Sequence, residues 1–184
     1  KFLNLGNKEW AGKMHDDLID AVDWAVKERI ARKDKVAIYG SSYGGYAALV
    51  GLTFTPKKFA CGVSVVGPSN LQTMLANTPP YWTSFLDTFK RRVGDPSTKE
   101  GKNLLKARSP LFRADKIERP LLIAHGANDP RVKQIEATQI VRAAARTHLE
   151  PVAEQDEGGQ ERRRLVEDVA LDPEGRGDRV DERG

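Results

Sequence analysis

The stretch Lys35-Val36-Ala37-Ile38-Tyr39-Gly40-Ser41-Ser42-Tyr43-Gly44-Gly45-Tyr46 decides the fold. A short apolar run with β-branched residues stops at a glycine-flanked serine, and a small-residue segment of helical character follows. The pattern is G-x-S-x-G between a strand and a helix, the arrangement that raises a nucleophilic serine on a sharp turn. A serine at the tip of such a turn holds a strained backbone conformation, so the residues two positions away must lack bulk. Gly40 and Gly44 meet that need. The frame selects Ser42 over Ser41, because a motif centred on Ser41 requires glycine where Tyr39 stands. The competing reading is a serine-glycine turn without chemistry. The strand before the turn and the helix after it favour the catalytic elbow.

Working outward, residues 14–30 read as an amphipathic helix, with Leu18, Val22, Ala25, Val26 and Ile30 recurring at helical steps among charges. Residues 36–39 form a continuous apolar run, as expected of a strand buried on both faces of a parallel sheet. Residues 46–53 are small and apolar nearly all round, which predicts a helix buried beneath the elbow. Residues 60–66 and 120–124 read as further strands, each bounded by Gly or Pro. Residues 134–146 read as a helix with Ala137, Ile140, Val141 and Ala144 on one face. Strands alternating with helices give an α/β fold built on a parallel sheet flanked by helices.

Residues 68–119 form a long insertion between the second and third strands. It holds Tyr81, Trp82, Phe85 and Phe89, the last three on one helical face. The bland reading, which we favour, is a helix packed on the domain. The sharper one is a wall of a ligand pocket, because α/β folds place ligand contacts beyond the C-terminal strand ends.

At 184 residues the chain is one domain's worth of sequence. Cys61 lies in an apolar run and is expected to be a buried free thiol, and a single cysteine makes no internal disulfide. No apolar stretch approaches the roughly 20 residues that span a bilayer, and Lys1 opens no signal-peptide pattern. A cytoplasmic protein with no membrane partner is the expectation.

The charge divides the chain. Residues 147–184 carry twelve Asp/Glu against six Arg, a net of −6, which leaves +10 on residues 1–146 of the chain's total of +4. The basic body lacks a base-reading helix, an aromatic RNP-type strand and zinc-ligand spacing, so its cations read as a solvated surface and no nucleic acid partner is expected. No cofactor or metal is expected either. The last 38 residues contain no Phe, Tyr, Trp, Ile or Lys, and 18 are charged. Such a composition buries too little area to offset chain entropy, which predicts a disordered tail with at most a frayed helix near residues 165–170. The domain expectation is therefore 1–146 for the folded unit and 147–184 for the tail.

A serine hydroxyl needs a base, usually histidine, oriented by a carboxylate. In elbow enzymes the chain order is serine, acid, histidine. Leu121-Leu122-Ile123-Ala124-His125-Gly126-Ala127-Asn128-Asp129 is a strand running into a loop, with a carboxylate just past the strand end. Asp129 is accordingly the candidate acid, against the alternative of a turn aspartate. His125 precedes the acid at the strand end and is a poor base.

These segments carry a family resemblance. Its residues are Gly6-Asn7-Lys8-Glu9-Trp10, Asp16-Asp17-Leu18, the elbow, Ser109-Pro110-Leu111-Phe112, Pro120-Leu121-Leu122 and His125-Gly126-Ala127-Asn128-Asp129-Pro130-Arg131-Val132. Over residues 1–146 the chain resembles the C-terminal catalytic domain of the prolyl oligopeptidase family, in particular its dipeptidyl-peptidase and acylaminoacyl-peptidase-like members. The resemblance implies a partial α/β-hydrolase fold. It implies a serine peptidase that cleaves short or N-terminally blocked peptides through an acyl-enzyme, often with esterase side activity. It further implies Ser42 as nucleophile, Asp129 as triad acid and the Tyr43 backbone N–H as one oxyanion donor. An H-G-G-P-type segment, early strands and a gating propeller are implied upstream of Lys1.

The family's histidine sits in a D-E-G-H-G segment about thirty residues after the acid, in the order serine, acid, histidine. Here that place reads Asp156-Glu157-Gly158-Gly159-Gln160. His148 is the histidine downstream of Asp129 and is the remaining candidate base. The loss of resemblance, lysine and aromatics near Arg146 suggests a tail read out of frame or replaced. The residues support three readings: a serine peptidase acting on peptides, a carboxylesterase acting on small esters, and a non-catalytic fragment or binding domain. The sequence leaves the oligomeric state open.

Overall fold

The computed structural model describes residues 2–148. A short α1 (Phe2–Leu5) precedes α2 (Lys13–Lys27), which ends three residues before the predicted Ile30. The reason is a left-handed stop: Arg29 has φ 59°, and the N–H groups of Ile30 and Ala31 both return to the Ala25 carbonyl, at 2.9 and 3.1 Å. Ile30 is thereby left 67 % exposed rather than buried on the apolar stripe.

β1 (Ala37–Ser41) leads through Ser42 into α3 (Tyr43–Phe54), so the helix begins three residues earlier than its apolar pattern suggests. β2 (Cys61–Val65) follows. Next come α4 (Leu71–Ala76), a 3₁₀ segment at Pro80–Phe85, α5 (Leu86–Arg92), α6 (Lys99–Ala107) and a second 3₁₀ segment at Pro110–Lys116. β3 (Leu121–Ala124) and α7 (Ile135–His148) complete the described chain. The three strands are parallel in the order β1-β2-β3, with Ala37 opposite Cys61, Ser41 opposite Val65, Gly62 opposite Leu121 and Val65 opposite Ala124.

α3 is apolar all round because it is buried all round, from Gly45 to Thr53. One side joins Tyr46 and Val50 to Leu71, Leu75, Val93 and Leu105; another joins Leu49 to Ala114, Ile117 and Ile140. Each such side chain contributes about 1.5–3 kcal/mol by leaving water. α3 covers only one sheet face, the one carrying Ile38, Gly62 and Ser64. On the other face Tyr39 is 73 % and Leu122 50 % exposed, so β1 is not buried on both faces as its composition predicts. No described element covers that face. Cys61 lies on it, and the free thiol is half-buried instead of buried.

The aromatic insertion does not form a single helix. It breaks between Phe85 and Leu86, which keeps Trp82 against Phe89, with ring centroids 6.0 Å apart, and leaves Phe85 55 % exposed. Among the described residues no helix is long and apolar enough to cross a membrane. The tail expected to be disordered, with its frayed helix, lies outside the described residues.

Candidate active site

Ser42 stands between the last residue of β1 and the first of α3, with φ 56° and ψ −115°. A non-glycine residue in this region costs on the order of 1–3 kcal/mol and persists only where its surroundings over-determine it. The surroundings are specific. The Ser42 N–H donates to the Val65 carbonyl at 2.9 Å, and the Ser42 carbonyl accepts the Tyr46 N–H at 3.0 Å. A Cβ on Gly40 would lie 2.3 Å from the Gly44 carbonyl carbon, so the strand and the helix meet only because Gly40 has no side chain. The Ser42 side chain is exposed at the C-terminal rim of the sheet.

Tyr43 opens α3, where first-turn N–H groups have no intrahelical acceptor. Its ring packs edge-on against Trp10, centroids 4.8 Å apart, and lies 5.9 Å from Tyr46. Burial pushes the Tyr43 and Tyr46 phenols above their ordinary range, so both remain neutral donors. The Tyr46 hydroxyl donates to the Arg108 carbonyl at 2.7 Å, and the Arg108 guanidinium donates to the Ala11 carbonyl at 2.6 Å. The first turn of α3 is thus tied to residues 10–11 and to the end of α6.

Asp129 lies beyond the C-terminal end of β3, at the same sheet rim as Ser42. One strand, β2, separates β1 from β3. Asp129 Oδ1 accepts the backbone N–H groups of Arg131 and Val132 at 2.8 and 2.9 Å. Partial burial raises its pKa, but those two N–H donors and the nearby His125 and Arg131 outweigh it, and the net shift is downward. Oδ2 takes no hydrogen bond among the described residues. His125 Nε2 donates to the Val132 carbonyl at 2.7 Å, so this imidazole braces the acid loop. The Tyr81 hydroxyl donates to the Pro130 carbonyl at 3.3 Å, which sets the aromatic insertion beside the same loop.

The described residues bring Ser42, Tyr43 and Asp129 to one rim. They do not bring the backbone of His148 there. α7 starts just after the acid loop, and Ala143 and Ala144 in its second half pack against the cluster of Leu49, Ala114, Ile117 and Ile140. His148 is its last residue, roughly 20 Å of helix from Ile135. Asp156-Glu157-Gly158-Gly159-Gln160 lies outside the described residues. Among the described residues no group of three His, Cys, Asp or Glu could hold a metal.

Two features of the rim carry no signal in the sequence. Val66 has φ 46°, which a β-branched residue rarely adopts, although it reads as the last residue of a strand. Glu136 reads as a surface charge on a helix and is 1 % exposed.

The family model described as "Prolyl oligopeptidase family" matches residues 1–158, past Arg146 and up to Gly158. The chain is 66 % identical to dipeptidyl aminopeptidase BIII of Pseudoxanthomonas mexicana over 142 residues, covering 77 % of this chain and 21 % of that protein. It is 51 % identical to dipeptidyl peptidase family member 6 of Caenorhabditis elegans over 150 residues, or 81 % of this chain and 20 % of the relative. A puromycin-hydrolysing peptidase of Mycobacterium tuberculosis superposes with a TM-score of 0.72 at 27 % identity, covering 79 % of this chain and 21 % of that one. The acylaminoacyl peptidase of Pyrococcus horikoshii gives 0.69 at 23 % identity over 79 % of this chain and 23 % of its own, a likeness of fold. The chain spans about a fifth of the length of the curated relatives it matches.

Proposed function

The chain belongs to the prolyl oligopeptidase family, and on that footing we propose that it carries the nucleophile and acid of a serine peptidase acting on short or N-terminally blocked peptides. The observation that carries this is Ser42. It is exposed, held at φ 56° between a parallel strand and a buried helix, and shares its sheet rim with Asp129. In the proposed reaction the Ser42 Oγ bonds to the scissile carbonyl carbon and the Tyr43 N–H donates to the oxyanion. The carbon–nitrogen bond breaks as the amine leaves with a proton, and water then hydrolyses the acyl ester. Asp129 Oδ2 would orient the histidine that moves those protons. The exposed Tyr81, whose hydroxyl reaches the Pro130 carbonyl, would form part of one wall of the peptide site.

A second reading has its own support. Gly159 stands where the family histidine is expected, and His148 is the last residue of the 14-residue α7 that follows the acid loop. If no histidine serves, turnover falls to the residual level left by binding and the oxyanion donors. The chain would then act as a non-catalytic fragment that retains the fold. Turnover of an aminoacyl anilide and of a short-chain nitrophenyl ester, each compared with Ser42→Ala, separates the readings. Ser42-dependent anilide cleavage supports the peptidase, ester cleavage alone supports a carboxylesterase, and rates equal to Ser42→Ala support the fragment.

A further inference from the structure

We propose that Glu136 is a positioning residue for the Ser42 turn, acting through the loop that follows β2. This rests on the reading of Ser42 as nucleophile for its meaning, though not for its test.

Glu136 is a buried carboxylate that no cation pairs among the described residues. Its Oε2 accepts the backbone N–H groups of Ser69 at 2.9 Å and Asn70 at 2.8 Å, together with the Gln139 amide at 2.9 Å. The Thr73 hydroxyl donates to Oε1, and the Ser69 hydroxyl donates to the Glu136 carbonyl at 2.5 Å. The groups facing the carboxylate are hydrogen-bond donors, matched to its acceptor oxygens. A carboxylate is costly to bury, and an ordinary helix contact does not require one. It is explained if two adjacent backbone N–H groups must be held in place.

Those N–H groups belong to a loop whose geometry is forced at its other end. Val66 has φ 46°, and its N–H donates to the Ala124 carbonyl at 2.8 Å. The neighbouring Val65 carbonyl accepts the Ser42 N–H, so the two strained residues flank one hydrogen bond. Gly67 completes the link. A Cβ there would lie 2.5 Å from the Gly45 carbonyl carbon and 2.5 Å from the Ser64 hydroxyl, so the loop backbone bears directly on the first turn of α3. The path runs from Glu136 to Ser69 and Asn70, back to Gly67 and Val66, and so to Ser42 and Gly45. Glu136 also sits on the first turn of α7, and its own N–H donates to the Lys133 carbonyl at 2.9 Å, at the exit of the Asp129 loop. Glu136 therefore ties the elbow side of the rim through its side chain and the exit of the Asp129 loop through its backbone.

The test is residue-resolved amide hydrogen exchange on the 184-residue chain, comparing the parent with Glu136→Gln and Glu136→Ala. Ser69 and Asn70 report the direct loss, and Leu52 in α3 reports global unfolding. The expected result is that Glu136→Ala lowers protection at Ser42 and Val66 at least tenfold beyond any change at Leu52. Glu136→Gln, which keeps one oxygen for the two N–H donors, should recover most of it. Unchanged protection at Ser42 and Val66 while Ser69 and Asn70 lose theirs would overturn the proposal. So would a loss no greater than at Leu52. Should Glu136→Ala fail to fold, Glu136→Asp, which withdraws the acceptor by one methylene, decides in its place: at least a threefold loss at Ser42 and Val66 beyond that at Leu52 is expected, and no such loss would overturn the proposal. Covalent labelling of Ser42 by a fluorophosphonate probe is measured alongside. Absence of labelling in the parent counts against the peptidase reading alone, because the exchange data are independent of chemistry.

Discussion

Gly40 and Gly44 flank the same serine but meet different surroundings. A Cβ on Gly40 would sit 2.3 Å from both the carbonyl carbon and the oxygen of Gly44, whereas a Cβ on Gly44 would meet nothing within 4 Å. Gly40 is thus required by the packing of strand on helix, whereas a Cβ on Gly44 would enter open space. Gly40→Ala should lower unfolding free energy by about 3 kcal/mol or more, because the clash is with backbone that cannot rotate away. Gly44→Ala should be neutral or gain up to about 1 kcal/mol, the helix preference of alanine over glycine. Urea titration of both variants checks the contrast.

Tyr46 offers a test of how the elbow is anchored below. Its buried hydroxyl donates to the Arg108 carbonyl at 2.7 Å. Tyr46→Phe keeps the ring contacts with Trp10 and leaves that carbonyl without its donor, so a loss of about 1–2 kcal/mol is expected by chemical denaturation.

His15 should make stability depend on pH. Its Nε2 lies 3.0 Å from the Thr55 hydroxyl oxygen, whose own hydrogen goes to the Gly51 carbonyl. Nε2 therefore donates, and the buried Nδ1 has no partner in the neutral ring. Burial lowers the His15 pKa below 6.5, and the nearby Asp16 only partly offsets this. The unfolded chain then takes up its proton at a higher pH than the folded one. Stability is full above about pH 6.5 and declines as pH falls towards the folded pKa. Between pH 7.5 and 5.5 the urea midpoint should fall for the parent and fall less for His15→Gln. Equal falls would assign the dependence elsewhere.

Asp129 separates structure from chemistry. Asp129→Asn keeps Oδ1 as acceptor for the Arg131 and Val132 N–H groups, whereas Asp129→Ala removes it. The alanine variant should lose about 1–2 kcal/mol and the asparagine variant less than half of that. Any Ser42-dependent turnover should fall steeply in both, because neither can hold an imidazolium.

The break after Asp156-Glu157-Gly158 invites a test on nucleic acid. The family match extends to Gly158, and residues 159–184 contain no aromatic residue and no histidine. If the remainder is read out of frame, translating the coding DNA in one of the other two frames should restore His-Gly and an aromatic-rich segment. If neither frame does so, the tail is a true replacement.

The elbow turn, the parallel α/β alternation and the helix buried beneath Ser42 are legible because each follows from local constraints. G-x-S-x-G fixes a turn, and an all-apolar run from Tyr46 to Thr53 can only be buried. The break at Phe85 and the stop at Arg29 were not legible, because tertiary contacts and a left-handed residue override helical period there. Composition could not show the open sheet face bearing Tyr39, since what covers a strand is decided outside the strand. The burial of Glu136 is not legible in the sequence for a similar reason. Its partners, Ser69 and Asn70, lie more than sixty residues away, and a glutamate in a first helical turn reads as a surface charge stabilised by the helix dipole.

The most direct test of Ser42 as the nucleophile is mass spectrometry of the folded chain after exposure to excess fluorophosphonate. A single adduct on the peptide containing Ser42 is expected, lost in Ser42→Ala and retained in His148→Ala. An adduct that survives Ser42→Ala, or a folded parent that forms none at Ser42, would contradict the assignment.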